Sequence, residues 1–477
     1  MARRTFLAAS LSGIAAVTLA SCFPTEPQPS PTPPPTPSPT PTATAPPTPG
    51  VPAPTAMRRS RWGADPFARG AFTFDAAGAD RQLRSALAEP IGERIVIAGE
   101  ATSMDAAGTW QGARASGLRA AADIIRLGEP GERVVVVGAG LAGLAAARAL
   151  VDAEFEVVVV EARDRFGGRI HSVDDDGFDM PVELGGVFLT TDGPLGAELA
   201  EASVGRRPFD PTVEARTADG ASVPISDTGR QAIAEAQGWA AAQPRPQSLA
   251  SALVGSGVVP LPATPDETGV SPADWLSHAI VSAVQPSTGA TTARLAASAV
   301  DLERFTEPVD LITGRMADYV DALAEPLDIA VSSAVTRVVY DDRRVSLRLD
   351  TGESVTSDRA VITVPLGVLK TDTIRFSPSL PLLHQRAISL IGVGRLDTVW
   401  LQFEEPFWRS PGSDANVLTL VGTTPDVGVW FDVGAVAGDA PVLLGLIAAD
   451  AATRLEELED DEFLAAVLAG LVPYGSG

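Results

Sequence analysis

The densest apolar pattern in the chain lies at 134–160, where two runs of four valines, 134–137 and 157–160, flank an alanine-rich segment. Short, unbroken apolar runs predict strands covered on both faces, as in a parallel sheet, rather than the alternation of a half-exposed strand. Gly138, Gly140 and Gly143 stand between the first run and the alanine-rich segment, which predicts strand, tight turn, helix and strand in succession. In such a unit Gly138 makes the turn, Gly140 lets backbone approach a pyrophosphate, and Gly143 lets helix and strand pack closely. The helix N-terminus offers free N–H groups to the phosphates. Glu161, at the end of the second run, sits where a carboxylate accepts hydrogen bonds from a ribose diol. The spacing therefore predicts an α/β fold whose βαβ unit holds the ADP half of a dinucleotide.

Upstream, 94–98 reads as a short strand, turning at Gly99 into a helix that opens at Thr109 and Trp110. The expectation is that 94–98 pairs beside 134–137, so that 91–169 forms one contiguous nucleus. Downstream come a mostly helical, alanine-rich stretch to about Glu303, a helix at 318–324, and strands at 329–338 and 345–349. A buried strand at 360–369 carrying Pro365 and a helix at 460–471 follow. Trp400, Trp408 and Trp430 read as core residues that also have the size to line a pocket. His171 reads as a strand residue, and His278 and His384 as residues of amphipathic helices that face solvent or fill a groove.

Charge and composition narrow the chemistry. At 477 residues the chain has room for two or three domains. A net charge of -24 makes nucleic acid an unsuitable partner. The single cysteine leaves no internal disulfide or cysteine metal site, and the three scattered histidines form no metal cluster. No paired-carboxylate or Ser/His/Asp pattern is present, which is consistent with chemistry carried by a cofactor.

The N-terminus, with Arg3-Arg4-Thr5-Phe6-Leu7, a weak apolar run and Leu19-Ala20-Ser21-Cys22, resembles a bacterial lipoprotein signal of the twin-arginine type. That resemblance implies export in the folded state, lipidation of Cys22 and anchoring at the outer face of the bacterial cell membrane. Residues 23–56 are a Pro/Thr/Ser tract with nothing to bury, expected to act as an extended tether.

Gly99-Glu100-Ala101-Thr102, the helix through Ala121, the 134–169 unit with Gly167-Gly168-Arg169, and Glu183-Leu184-Gly185-Gly186 together resemble the flavin-containing amine oxidase family. In that family the block containing Trp62, Asp65-Pro66 and Gly99-Glu100-Ala101-Thr102 closes the chain, whereas here it precedes the βαβ unit. The resemblance thus implies a circularly permuted order, with 128–132 joining the old ends. It also implies an FAD-binding Rossmann-like domain combined with a mixed α+β substrate domain. Residues 1–22 would be the signal and 23–56 the tether. Residues 57–190 and 305–370 would bind FAD, with 57–127 equivalent to the usual C-terminal block and 133–190 to the usual N-terminal one. Residues 191–304 and 371–477 would form the substrate domain, the first part helical.

Carried over residue by residue, the resemblance places Arg163, Gly168 and Arg169 along the ribose and pyrophosphate, and Glu100 near the ribityl chain. The backbone at Thr109 and Trp110 would meet the isoalloxazine, and that of Val335 the adenine. Ala71 stands where some members carry a flavin-linked cysteine, which implies noncovalent FAD. Phe72 and Thr109 replace the two tyrosines of an aromatic cage. Thr398, ten residues before Trp408, replaces a lysine that is water-linked to the flavin. The implied reaction takes a small-molecule amine, polyamine or amino acid to an imine, with electrons passing to oxygen, giving hydrogen peroxide, or to another acceptor. A flavin desaturase or oxidase acting on C–C bonds, and a non-catalytic surface flavoprotein, stay open as alternatives.

Overall fold

The computed structural model describes Thr48 and residues 50–475, apart from 81, 191–192 and 305. The valine runs form parallel strands, Arg133–Val137 and Glu156–Val160, in register from Arg133 opposite Glu156 to Val137 opposite Val160. Helix Leu141–Asp152 crosses between them. Val134 and Val136 enter one apolar core and Val135 and Val137 another, which is why every position of the first run is apolar. Five parallel strands complete this sheet in the order Ile329–Ala330, Glu156–Val160, Arg133–Val137, Arg359–Ile362, Ile95–Ile97.

That order corrects one expectation. The upstream strand does not pair beside Arg133–Val137; Arg359–Ile362, fully buried, lies between them and bonds to both. Buried Arg359 fixes this arrangement from its own first residue, reaching Glu132 at 2.6 Å on one side and the carbonyl of Glu93 on the other. The contiguous nucleus is thus limited to helix packing. Helix Trp110–Leu127 lies against helix Leu141–Asp152 so closely that a Cβ on Gly117 would stand 2.1 Å from the carbonyl oxygen of Ala142.

A second, seven-stranded sheet runs Ala56–Arg59, Leu396–Gln402, Val442–Ala448, Val429–Asp432, Val417–Leu420, Val213–Arg216, Ser222–Val223. Its edge strand Ala56–Arg59 is antiparallel to Leu396–Gln402, so the first strand after the Pro-rich tract belongs to this sheet. The tether also ends before Ala56. Val51 is buried, and Thr55 donates to the Gln402 carbonyl at 2.7 Å.

Three further expectations change in detail. The stretch 191–303 contains strands Arg206–Phe209, Val213–Arg216 and Ser222–Val223 among its helices. The strand expected at 329–338 is two, because Ser332 adopts φ 51° and turns Ile329–Ala330 into the parallel sheet but Val335–Tyr340 into another. The run at 360–369 leaves the sheet after Ile362, and Leu366–Leu369 behind Pro365 is a helical turn.

Candidate active site

A cavity of about 690 Å³ runs from the glycine turn after Arg133–Val137 to the face of the seven-stranded sheet at Thr398 and Leu446. Gly138, Gly140, Glu161, Arg163, Gly168, Arg169, Val335, Glu100, Thr109, Trp110, Phe72 and Thr398 all line it. Gly143 does not, and serves the turn from within.

The three glycines have different reasons. Gly138 has φ 106°, and a Cβ there would stand 2.7 Å from the Thr363 hydroxyl. A Cβ on Gly143 would lie 1.9 Å from the Gly138 carbonyl. At Gly140 the nearest protein atom to a Cβ is 3.8 Å away, so nothing in the protein itself demands glycine there. An open backbone cradle at the start of a helix fits the pyrophosphate of a dinucleotide.

Glu161, buried at the strand end, accepts from the amides of Ala139 at 2.7 Å and Arg163 at 2.8 Å. Its carboxylate is thereby held at the cavity wall with lone pairs left for a diol. The Arg163 side chain is paired with Asp65 at 2.7 Å and lies 5.5 Å over the Phe67 ring. Arg169 bridges the Ala71 carbonyl at 2.8 Å and Glu100 at 2.9 Å. Buried Glu100 also accepts from the Thr73 hydroxyl at 2.7 Å and the Gly108 amide at 3.0 Å. Burial pushes its pKa up, but the Arg169 guanidinium and the Thr73 hydrogen bond outweigh that and hold it below the usual carboxylate range.

Thr109 lines the cavity, but its hydroxyl caps helix Trp110–Leu127, accepting from Gly112 at 3.0 Å and donating to Ala106 at 2.7 Å. Trp110 covers Gly186, where a Cβ would meet the indole at 3.0 Å. Thr398 is buried; its hydroxyl donates to the Leu184 carbonyl at 3.1 Å and its amide to Ser60 at 2.9 Å.

Trp400, Trp408 and Trp430 are core residues and take no part in the cavity wall. Trp62, which sequence reasoning passed over, does line it, donating to the same Leu184 carbonyl at 3.0 Å. His171 lies outside the lining, with burial and the nearby Arg165 and Arg163 lowering its pKa to about 4. His384 is buried on helix Leu382–Leu390, and His278 meets Thr419 at 2.9 Å.

Glu183 supports this wall from behind. Its Oε1 accepts from Ser172 and from the Met316 amide at 2.9 Å, while buried Oε2 has no partner. Burial raises its pKa to about 7 despite those hydrogen bonds. A raised folded-state pKa gives stability that is present below about 4.5 and lost as pH rises through 7. Thermal stability is therefore expected to fall by roughly 3 kcal/mol between pH 5 and 8, and Glu183→Gln to flatten that slope in melting curves.

This cavity has at one end a glycine cradle of the kind that suits the dinucleotide of an oxidoreductase, and at the other a walled space beside Phe72 and Thr398. The family model for flavin containing amine oxidoreductases matches residues 43–125, 141–223 and 283–474, and the chain belongs to that family. It is a FAD-dependent amine oxidase that takes an amine to an imine, with oxygen as acceptor and hydrogen peroxide as product. The chain is 29% identical over 360 residues to polyamine oxidase 4 of Oryza sativa subsp. japonica, covering 71% of this chain and 72% of that protein. It is 30% identical over 349 residues to polyamine oxidase 2 of Arabidopsis thaliana, covering 69% of each. The solved structure of cyclohexylamine oxidase from Brevibacterium oxydans shares the fold, with a TM-score of 0.58 at 21% identity, covering 73% of this chain and 83% of that one.

These relatives correct the expectation of an exported, lipid-anchored protein. The chain groups with polyamine and cyclohexylamine oxidases, and among the described residues no helix is long and apolar enough to cross a membrane. The twin arginine and Cys22 lie outside the described residues.

Proposed function

We propose that this cavity holds FAD noncovalently between the Gly138 turn and Thr398, and that the amine is oxidised at the Phe72 and Thr398 end. The observation that carries this reading is the continuity of one cavity from Gly140 to Thr398. Bound FAD would accept a hydride from the carbon bearing the neutral amine. The chain's own residues bind and shape. Gly140 leaves room for the pyrophosphate, and Glu161 receives the ribose diol. Gly168 and Arg169 lie opposite the cradle, and Val335 closes the adenine end. Arg163 and Arg169 already have carboxylate partners, so they frame the phosphates while the backbone amides bind them.

Ala71 offers no thiol for a covalent link. Phe72 supplies the aromatic wall, Thr109 contributes backbone and helix cap, and Trp62 and Trp110 exclude water. With its hydrogen donated to Leu184, the Thr398 hydroxyl keeps lone pairs for a water where related enzymes place a lysine. Residues 57–190 and 305–370 surround the FAD apart from the edge strand Ala56–Arg59, while 191–304 and 371–477 form the substrate side. Anaerobic addition of amines to the purified holoenzyme tests the reading: the flavin absorbance should bleach. Colour retained with every amine and amino acid would overturn it.

We also propose that the order of blocks is a circular permutation. Only 128–132 separate helix Trp110–Leu127 from strand Arg133–Val137. At the other end Gly475 touches the start of the folded unit, since a Cβ there would stand 2.0 Å from the Gly50 carbonyl. A rearranged gene that opens at 128–132 and joins 475 to 50 through a short linker is expected to give a folded, flavin-binding protein. An insoluble or colourless product would count against this order.

A further inference from the structure

We propose that the substrate of this cavity carries a carboxylate as well as its amine, and that Arg304 binds that carboxylate. The inference rests on reading the cavity as the amine site. Three guanidinium groups line it, those of Arg163, Arg169 and Arg304. The first two are neutralised, Arg163 by Asp65 at 2.7 Å and Arg169 by Glu100 at 2.9 Å. Arg304 differs. Its Nη1 donates to the Ser287 carbonyl at 3.2 Å, and among the described residues no carboxylate lies within 4.0 Å of it. Neighbouring Glu303 is turned to Arg230 at 2.6 Å, and Asp301 accepts from the Glu303 amide at 3.0 Å.

The position of this guanidinium, which feels the charge of Asp301 but makes no carboxylate ion pair among the described residues, decides its use. It lies 5.8 Å over the ring of Phe72, within the reaction end of the cavity rather than along the dinucleotide. An exposed Arg fork that lines the cavity is a bidentate receptor for a planar anion. The same charge disfavours a substrate with a second cation. Diamines and polyamines bring a second ammonium toward Arg304; an amino acid brings the complementary group. Asp301 and Glu307, which are exposed and line the same cavity, meet the ammonium end as it enters, while Glu303 is held by Arg230.

The test uses the holoenzyme and matched pairs that differ by one carboxylate: lysine against cadaverine, ornithine against putrescine, phenylalanine against phenethylamine. The acid-bearing member of at least one pair is expected to reduce the flavin with a kcat/KM about tenfold or more above its plain partner. Arg304→Gln should lower that value about 100-fold, chiefly through KM, and raise that of the plain amine. Calorimetry with benzoate, which has no amine to oxidise, gives an independent reading: it should bind the wild-type holoenzyme and not Arg304→Gln. Plain amines preferred in every pair, or benzoate binding unaffected by the substitution, would overturn the proposal. If no member of any pair reduces bound flavin, the amine-site reading itself fails, and the benzoate titration still decides the role of Arg304. Should Arg304→Gln lose flavin or melt early, Arg304→Lys, which keeps the charge without the fork, replaces it and should bind benzoate more weakly than wild type.

Discussion

Gly140→Val is expected to give a folded protein without flavin, and Gly143→Ala a protein that folds poorly. The two glycines are three residues apart in one turn, yet they answer to different neighbours. Gly140 has φ -80° and ψ 175°, a conformation that valine adopts readily. Its side-chain position is empty to 3.8 Å on the protein side, so a valine there fills the cradle and displaces the pyrophosphate. At Gly143 even one methyl would stand 1.9 Å from the carbonyl of Gly138, whose own φ of 106° holds it in place. Helix Leu141–Asp152 would have to move off the sheet, at a cost of about 3 kcal/mol. Circular dichroism melts and the flavin absorbance of the purified proteins separate the two effects. Full flavin occupancy in Gly140→Val would remove the reason for placing the pyrophosphate there.

The second large effect is expected at Glu100. Its buried carboxylate is the common acceptor for Arg169, the Thr73 hydroxyl and amide, and the Gly108 amide. Glu100→Ala leaves the Arg169 guanidinium without its carboxylate and three other donors without an acceptor, which is expected to destabilise the protein by about 3–5 kcal/mol. Glu100→Gln keeps one acceptor oxygen and the shape but removes the charge, for an expected loss of about 1–3 kcal/mol. Denaturant titrations should rank the two in that order. Equal losses would mean that cavity formation, rather than the charge network, governs the site. Because Arg169 also holds the Ala71 carbonyl and Gly108 adjoins Phe72, both variants should bind flavin more weakly than wild type.

The glycine-turn end of the cavity was legible in the sequence, for physical reasons. Burial on both faces leaves four valines in a row. A turn with φ 106° and a contact of 1.9 Å leave glycines at fixed intervals. The end of the second strand leaves Glu161 at the cavity wall. Strand order left no such trace. Inter-strand hydrogen bonds are made by backbone, so 94–98 and 359–362 read alike as short apolar runs, and only the side chain of Arg359 marks which of them is central.

The end of the cavity at Phe72 and Thr398 was only partly readable. Thr398 and Phe72 could be placed by resemblance, but Trp62 and Arg304 arrive on segments without periodicity. Trp62 follows the edge strand Ala56–Arg59, and Arg304 lies in the irregular connection between 297–299 and Val309–Ile312. A single exposed arginine in a polar loop looks like surface until the fold shows that it faces a cavity.

The edge strand Ala56–Arg59 has one more implication, for how the chain reaches this state. It bonds to Leu396–Gln402, some 340 residues later, and Ile95–Ile97 bonds to Arg359–Ile362 over more than 260. As the chain emerges from the ribosome, these two early strands are without their neighbours until most of the protein has been made. Closing such distant pairs slows folding, and the open strand edges that wait for them are sticky. Synthesis of this protein therefore calls for something to shield residues 56–97 while the rest is translated, and a chain released early should aggregate through that region.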